Sequence, residues 1–163
     1  MLIETNRLIL KTLRLYHAPQ LYNIIKHPNF PKGNVHPAVT SFLYAYQAEA
    51  SQLLCPQKNH ILSVFLKNQK EMIGAALLTN RTETLEEGIQ AEVDYFIALP
   101  HHGQGYAFEA MDALSKTVKM QYGLDSIYAT ADNRNIASQI TNEKLGMKVI
   151  ASQPMCLHYQ GRI

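Results

Sequence analysis

Hydrophobic positions recur with two different periods along the chain, and each change of period marks a predicted element. Apolar residues at every third or fourth position indicate helices, whereas short apolar runs or strict alternation indicate strands. The helical period is found over Tyr16–Lys26, over Ala38–Leu54, from Ala107 onward and over Asn135–Lys144. The strand pattern is found at Leu8–Leu10, His60–Leu66, Glu71–Thr79, Glu92–Leu99, Ser126–Thr130, Met147–Ala151 and Leu157–Gly161. We therefore expect an α/β fold with about seven strands and four helices.

The first two predicted helices are separated by a proline-rich stretch. His27–Pro37 contains three prolines and a glycine, which interrupt both periodicities and predict a loop. A loop of this length is unusual in a compact domain, and long ordered loops are often functional.

Composition limits the class of protein. The chain has 163 residues, of which 47% are hydrophobic and 17% charged, so it carries enough core material for one globular domain spanning residues 1–163. Its net charge is only +2, with the basic residues scattered along the chain. Nucleic acid is therefore not an expected partner.

The sequence also argues against a membrane span and a metal site. The longest apolar runs, His60–Leu66 and Met72–Leu78, are far shorter than the roughly 20 residues that cross a bilayer. Glu4 and Arg7 interrupt the segment where a secretory signal would need an apolar core, so we expect a cytoplasmic protein. The two cysteines, Cys55 and Cys156, lie far apart and are interpreted as buried free thiols. The seven histidines lack metal-ligand spacing, and no metal is expected.

The sharpest local signal is a pair of glycines between a strand and a helix. Pro100 ends the strand because proline has no N–H for the ladder, and His101–Ala107 leads directly into the helix. The apolar stripe of the helix consists of Ala107, Ala110, Met111, Leu114 and Val118. The other face is expected to be solvated and carries Glu109, Asp112, Lys116 and Lys119. Such a turn directs backbone N–H groups into one concavity at the positive end of the helix dipole, which suits a phosphate.

Two other interpretations of the glycine pair were weighed. A Gly-x-Gly by itself often serves as a plain helix cap, and a dinucleotide fold would use the longer G-x-G-x-x-G pattern. Phe108 stands at the third glycine position of that pattern, and the hairpin-like first half of the chain fits a mixed sheet better than a doubly wound one. A nucleoside triphosphatase is excluded because no Walker lysine follows the glycines.

Four segments in this order resemble the GNAT superfamily of acyl-CoA-dependent N-acyltransferases. They are Ala91–Pro100, His102–Ala107, Asn135–Ser138 and Glu143–Met147. The opening Ile3–Leu10 is similar to the first strand of the branch that includes the ribosomal-protein N-terminal acetyltransferases. The resemblance implies a GNAT fold, a mixed and mostly antiparallel sheet with helices on its faces, and acetyl-CoA as co-substrate.

The resemblance also implies the residues that bind the coenzyme. The pyrophosphate segment maps onto His102, Gly103, Gln104, Gly105, Tyr106 and Ala107, with Asn135 as a further coenzyme residue. His102 replaces the usual Gln or Arg, and either binds phosphate or belongs to the turn. The preceding strand is expected to diverge from its neighbour, so that Phe96, Ile97 and Ala98 offer backbone groups to the acyl carbonyl and the pantetheine amides.

Acylation of an amine needs a neutral nucleophile and a stabilised leaving thiolate. Glu92 lies where several family members place a general base, and alternation puts Asp94 on the same face as a second candidate. Both could instead be solvated strand carboxylates.

Many relatives use a tyrosine as the general acid, at a position occupied here by Asn142. In the ribosomal-protein-like branch a serine has that role, which maps onto Ser138, although Ser138 and Asn135 also suit the capping of a helix.

The resulting hypothesis is an N-acetyltransferase that acts by direct transfer in a ternary complex. The acceptor is expected to be a primary amine, either a protein N-terminus or a small molecule, with the loop around Phe30 near its site. The alternative is a non-catalytic acyl-CoA-binding sensor or structural subunit, which would keep the glycine turn without the carboxylate and the acid. The sequence leaves the acceptor unidentified and homodimer formation open.

Overall fold

The structure is a computed structural model that describes residues 1–30, 35, 37–47, 60–84 and 88–163, with the side chains of 45–47 and 80–84 left aside. Within these ranges the chain forms eight strands and four α-helices. The strands are β1 (Leu2–Glu4), β2 (Leu8–Thr12), β3 (His60–Leu66), β4 (Met72–Thr84), β5 (Gly88–Ile97), β6 (Ser126–Asp132), β7 (Lys148–Ser152) and β8 (Cys156–Arg162). The helices are α1 (Ala18–Ile25), α2 (Pro37–Gln47), α3 (Tyr106–Tyr122) and α4 (Ile136–Lys144).

All eight described strands belong to one sheet in the order β1-β2-β3-β4-β5-β6-β8-β7. β5 and β6 run parallel, and the other neighbours in the described sheet run antiparallel. The predicted mixed and mostly antiparallel sheet with four helices is confirmed. The eighth strand arises in the opening segment, where Thr5 Oγ1 accepts a hydrogen bond from Leu8 N–H at 2.8 Å and closes a turn that divides the segment into β1 and β2.

Helices cover both faces of the sheet. Buried residues of α3, including Met111, Leu114 and Val118, pack with Leu10 and Val93 of the strands. A second cluster joins α1 and α2 to the opposite face of the sheet. It includes Leu21, Val39, Phe42, Phe65, Leu77 and Phe96. Because side chains alternate along a strand, those of β5 lie on two faces of the sheet. We call the face covered by α3 the α3 face, and the face covered by α1 and α2 the α1–α2 face.

Several predicted boundaries differ from the structure. β5 ends at Ile97 rather than Leu99, because Leu99–His101 forms one turn of 3₁₀ helix around Pro100. The helix predicted over Ala38–Leu54 is described as far as Gln47, and its remainder lies outside the described residues, as does Cys55.

Cys156 is a free thiol that is partly exposed rather than buried. None of the described helices is long and apolar enough to cross a bilayer.

Candidate functional site

The central feature of the sheet is a gap between its two parallel strands. β5 and β6 pair at Gln90–Ser126, Ala91–Ile127 and Glu92–Tyr128. Both strands continue, to Ile97 and Asp132, but within the described chain no β5–β6 pair follows Glu92–Tyr128. The strands therefore diverge beyond Glu92, as the resemblance implies, and open a cleft in the middle of the sheet.

Strand geometry determines which backbone groups of β5 face this gap. In an antiparallel ladder, successive residues direct their N–H and C=O groups to opposite sides of the strand. Ala98 N–H donates to Ile73 O on β4 at 2.7 Å, and the register pairs Phe96 with Ala75. The backbone groups of Phe96 therefore face β4, whereas those of Tyr95 and Ile97 face the gap.

This pattern decides which of the three predicted residues, Phe96, Ile97 and Ala98, can offer backbone groups to a ligand in the gap. Of the three residues, Ile97 directs its backbone groups into the gap, while the Ala98 carbonyl accepts from His101 N–H at 2.9 Å. The prediction omitted Tyr95, which lies two residues before Ile97 on the same edge. Period-two alternation of the backbone groups, counted back from Ile97, was the signal that could have identified it.

Side chains already bond to two of the groups on this edge. Tyr95 N–H donates to Asp94 Oδ1 at 2.7 Å. The Ile97 carbonyl is 2.7 Å from His102 Nε2, which must carry the hydrogen because a carbonyl oxygen only accepts. His102 thus connects the glycine turn to the open strand.

The glycine turn has the conformation that its two glycines permit. Gly103 and Gly105 have φ angles of 73° and 79°, in the left-handed region that side chains disfavour. Gly105 is also the N-cap residue of α3, and no side chain of the described residues caps this helix. The backbone N–H groups of the first turn are therefore directed outward at the positive end of the helix dipole, a suitable site for an anion.

Arg7, in the turn between β1 and β2, supports the glycine turn from outside. Its Nη1 donates to the Gln104 carbonyl at 3.0 Å, and its Nε donates to Glu109 Oε2 at 2.6 Å. The guanidinium also lies over the Tyr106 ring, 4.6 Å from the ring centroid. Sequence reasoning missed this contact because it joins segments about a hundred residues apart in the chain.

Glu109 is a structural acceptor rather than the solvated residue that was expected. Its side chain is only 18% exposed, and its Oε1 accepts from Thr5 Oγ1 at 2.6 Å and from Arg7 N–H at 2.9 Å. Burial acts to raise the pKa of Glu109, but the hydrogen bonds from Thr5 and Arg7 outweigh it, so the pKa lies below its ordinary value. Glu109 is therefore ionised at neutral pH and holds the first hairpin against α3.

The two candidate bases lie on the α1–α2 face, near the point where the gap begins. Glu92 belongs to the last β5–β6 pair, is half-buried, and accepts a long hydrogen bond from Thr79 Oγ1 at 3.4 Å. Burial, followed by the charge of Glu92, raises the pKa of Tyr128. Asp94 uses one carboxylate oxygen for the short bond to Tyr95 N–H. Alternation places both carboxylates on the face that carries Phe96.

Ser138 lies on the opposite face, in the first turn of α4. Asn135 is the N-cap residue of this helix, and its Oδ1 accepts from Ser138 N–H at 3.1 Å. The hydroxyl of Ser138 is 3.1 Å from the Tyr95 hydroxyl, so a side chain of the open strand reaches α4. The structure therefore assigns Asn135 a capping contact and brings Ser138 into contact with β5.

A split parallel strand pair beside a glycine turn defines a class of acyl-CoA-dependent transferases. Residues 7–148 match the acetyltransferase (GNAT) domain family, and the chain therefore belongs to the GNAT acetyltransferases, a family of enzymes. No curated protein matches the sequence.

Solved structures share the fold at low sequence identity. A proposed ribosomal-protein-serine acetyltransferase from Vibrio cholerae superposes with a TM-score of 0.80 at 18% identity, covering 100% of this chain and 98% of the other. RimL, a ribosomal-protein alpha-N-acetyltransferase in complex with coenzyme A, gives 0.79 at 16% identity, with the same coverage. An acetyltransferase from Agrobacterium tumefaciens gives 0.73 at 21% identity, covering 99% and 94%.

We expect Glu109→Gln to lower the free energy of unfolding by about 1.5–3 kcal/mol at pH 7, because charge-assisted hydrogen bonds are of that size. A carboxylate whose pKa is depressed by folding stabilises the protein above its unfolded pKa, and this contribution is lost as the pH falls through the folded value. The difference in the free energy of unfolding between wild type and variant should therefore shrink as the pH falls below the ordinary pKa of 4.5. Urea unfolding at several pH values measures this difference.

Asp112→Asn on the same helix is the matched control. Asp112 pairs with Lys116 one turn away, both side chains being well exposed, and such pairs contribute little. Equal losses of stability in the two variants would contradict the proposed role of Glu109.

Proposed function

We propose that this protein transfers the acetyl group of acetyl-CoA to a primary amine by direct transfer in a ternary complex. The observation that carries the proposal is the continuity of the gap with the glycine turn. The His102 side chain spans the two, because it starts in the turn and bonds to the Ile97 carbonyl on the edge of the gap. A ligand with an anionic end and an extended amide arm, as coenzyme A has, fits this arrangement.

On the coenzyme side, the turn His102–Ala107 would receive the pyrophosphate through its backbone N–H groups, while the His102 side chain holds the turn against β5. The Tyr95 carbonyl and the Ile97 N–H face the gap and would bond to the pantetheine amides as a neighbouring strand does. Asn135 would contribute indirectly, since its side-chain oxygen holds the start of α4.

The two faces of the sheet would divide the chemistry. Direct transfer requires an amine that has lost its proton, a polarised acyl carbonyl and a leaving thiolate. Glu92 is our proposed base, because it belongs to the last β5–β6 pair, where the gap begins. Ser138, on the α4 side, would donate a hydrogen bond to the leaving sulfur. The amine would thus approach from the α1–α2 face and the thiolate would leave on the other.

A protein N-terminus is the first acceptor to test, because two of the structural neighbours are named as ribosomal-protein acetyltransferases. A small-molecule amine is the second. The alternative function, a non-catalytic acyl-CoA sensor, would need neither the carboxylates at the mouth of the gap nor a serine beside it, and the protein has both.

Transfer is tested by incubating the protein with acetyl-CoA and a panel of N-terminal peptides and small amines. Free thiol should appear in proportion to the acetylated product, because acceptor and thioester react while both are bound. With acetyl-CoA alone, mass spectrometry should find no stable acetyl group on Ser138 or Cys156. Tight coenzyme binding without transfer to any amine would instead favour the sensor.

Glu92→Gln should lower kcat by about a hundredfold or more while the Kd for the coenzyme stays unchanged, since a general base acts on the nucleophile alone. Asp94→Asn is the comparison variant, and it should retain a larger fraction of the rate. If Glu92→Gln keeps the full rate and the wild-type pH profile, Glu92 is not the base.

Gly105→Ala should raise the Kd for coenzyme A by about tenfold or more in calorimetry, because a Cβ projects from the turn whose N–H groups would bind phosphate. Gly123→Ala is a matched control, since Gly123 has a φ of 63° at the other end of α3 and open space around its Cβ position. Both variants carry similar backbone strain. Equal coenzyme affinity in the two would overturn the assignment of the turn.

A further inference from the structure

Tyr95 has an unusual position, because its backbone lines the gap while its side chain crosses to α4. The Tyr95 hydroxyl oxygen is 3.1 Å from Ser138 Oγ, 3.3 Å from the Ser138 carbonyl and 3.2 Å from Asn142 Oδ1. The ring packs against the core on the α3 face. A tyrosine hydroxyl is thus held among three polar atoms of α4, the helix that carries the candidate acid.

The hydrogen atoms of this cluster can be counted. A tyrosine hydroxyl has one hydrogen to donate, and its oxygen can accept in return. Asn142 is buried, with its Oδ1 toward Tyr95 and its Nδ2 without a hydrogen-bond partner among the described residues. An unpaired buried donor is costly, and the two ends of an asparagine amide differ only by assignment. Rotating the amide by half a turn brings Nδ2 to the Tyr95 oxygen, where it can donate, and leaves the amide oxygen unpaired instead, which buried carbonyl groups tolerate more often than N–H groups do.

In that arrangement two acceptors remain for the hydrogen of Tyr95, and Ser138 Oγ at 3.1 Å is nearer than the Ser138 carbonyl at 3.3 Å. The serine hydroxyl then accepts from Tyr95 and has its own hydrogen left to donate elsewhere. Two hydrogen bonds consequently run in one direction, from Asn142 Nδ2 to Tyr95 and from Tyr95 to Ser138, and the Ser138 hydrogen is left for an acceptor outside the cluster.

We propose that Tyr95 is a positioning residue for acetyl transfer, which directs the hydroxyl hydrogen of Ser138 to the leaving sulfur. This inference rests on the proposed function. The amine nitrogen forms a bond to the acyl carbon, the carbon–sulfur bond breaks with its electron pair on sulfur, and the proton that the nitrogen loses goes to Glu92. Tyr95 and Ser138 keep their protons and only donate hydrogen bonds.

The surroundings of Tyr95 suit a permanent donor. Burial is the main reason that the pKa of Tyr95 is raised, and the nearby Asp94 charge adds to it, whereas side-chain hydrogen bonding with Ser138 and Thr141 acts in the opposite direction. Tyr95 therefore stays protonated throughout the neutral pH range. Hydrogen bonds on the helix side and core packing along the ring restrict it to one orientation, so its hydrogen bond is present before the thiolate forms.

The test is a double-variant cycle on the intact protein with acetyl-CoA and an accepted amine. Tyr95→Phe removes only the hydroxyl and should lower kcat by about tenfold, the effect of one hydrogen bond, with the KM for acetyl-CoA unchanged. Combined with Ser138→Ala it should cause no further loss, because Tyr95 acts through Ser138. Asn142→Leu should lower kcat in the same Ser138-dependent way, which provides a second variant if Tyr95→Phe does not fold.

Tyr159→Phe is the matched control. Tyr159 is a second buried tyrosine, and its hydroxyl has no hydrogen-bond partner among the described residues, so its removal should leave kcat unchanged. The inference is overturned if folded Tyr95→Phe keeps the wild-type kcat, or if its loss multiplies with that of Ser138→Ala. A wild-type protein that acetylates no amine would overturn the proposed function as well, whereas an active wild type with an unaffected Tyr95→Phe overturns this inference alone.

Discussion

The divergence of β5 from β6 is the constraint on which the site depends. A strand edge in the interior of a sheet carries N–H and C=O groups that must find partners, since an unmet buried polar group costs more than a hydrogen bond contributes. β5 and β6 pair as far as Glu92. Beyond it, side chains satisfy two groups of the open edge, because Asp94 accepts from the Tyr95 N–H and His102 donates to the Ile97 carbonyl. The neighbouring Tyr95 carbonyl and Ile97 N–H face the same space, and a ligand with amides could complete the ladder.

Contacts between distant segments hold this edge and the glycine turn in one arrangement. Arg7 bonds to the Gln104 carbonyl and to Glu109, so the first hairpin buttresses the start of α3. On the other side of the turn His102 reaches back to β5. These neighbours already fix the backbone atoms of the turn. Binding of a phosphate there would therefore cost little conformational entropy, which favours affinity.

Much of the architecture could be predicted from local sequence. Apolar periodicity identifies the helices and most of the strands, because one-sided burial imposes a period of two on a strand and of 3.6 on a helix. The glycine turn could be located without any structure, since Gly103 and Gly105 are the residue type that a left-handed backbone requires. Family resemblance then supplied Glu92 and Ser138, which the local pattern alone leaves as an ordinary strand carboxylate and a helix-end serine.

The local sequence by itself thus determined the elements and the turn, which depend on residues close together in the chain, and the family resemblance supplied the candidate chemistry. Only the tertiary structure decided which of these groups meet. It made Glu109, which was expected on the surface, the partner of Thr5 and Arg7. It also placed the Tyr95 hydroxyl beside Ser138 and Asn142 of α4, a helix that has no tyrosine of its own. Such contacts depend on strand register and helix packing, which are set by the whole core and leave no periodic signal in the residues that take part.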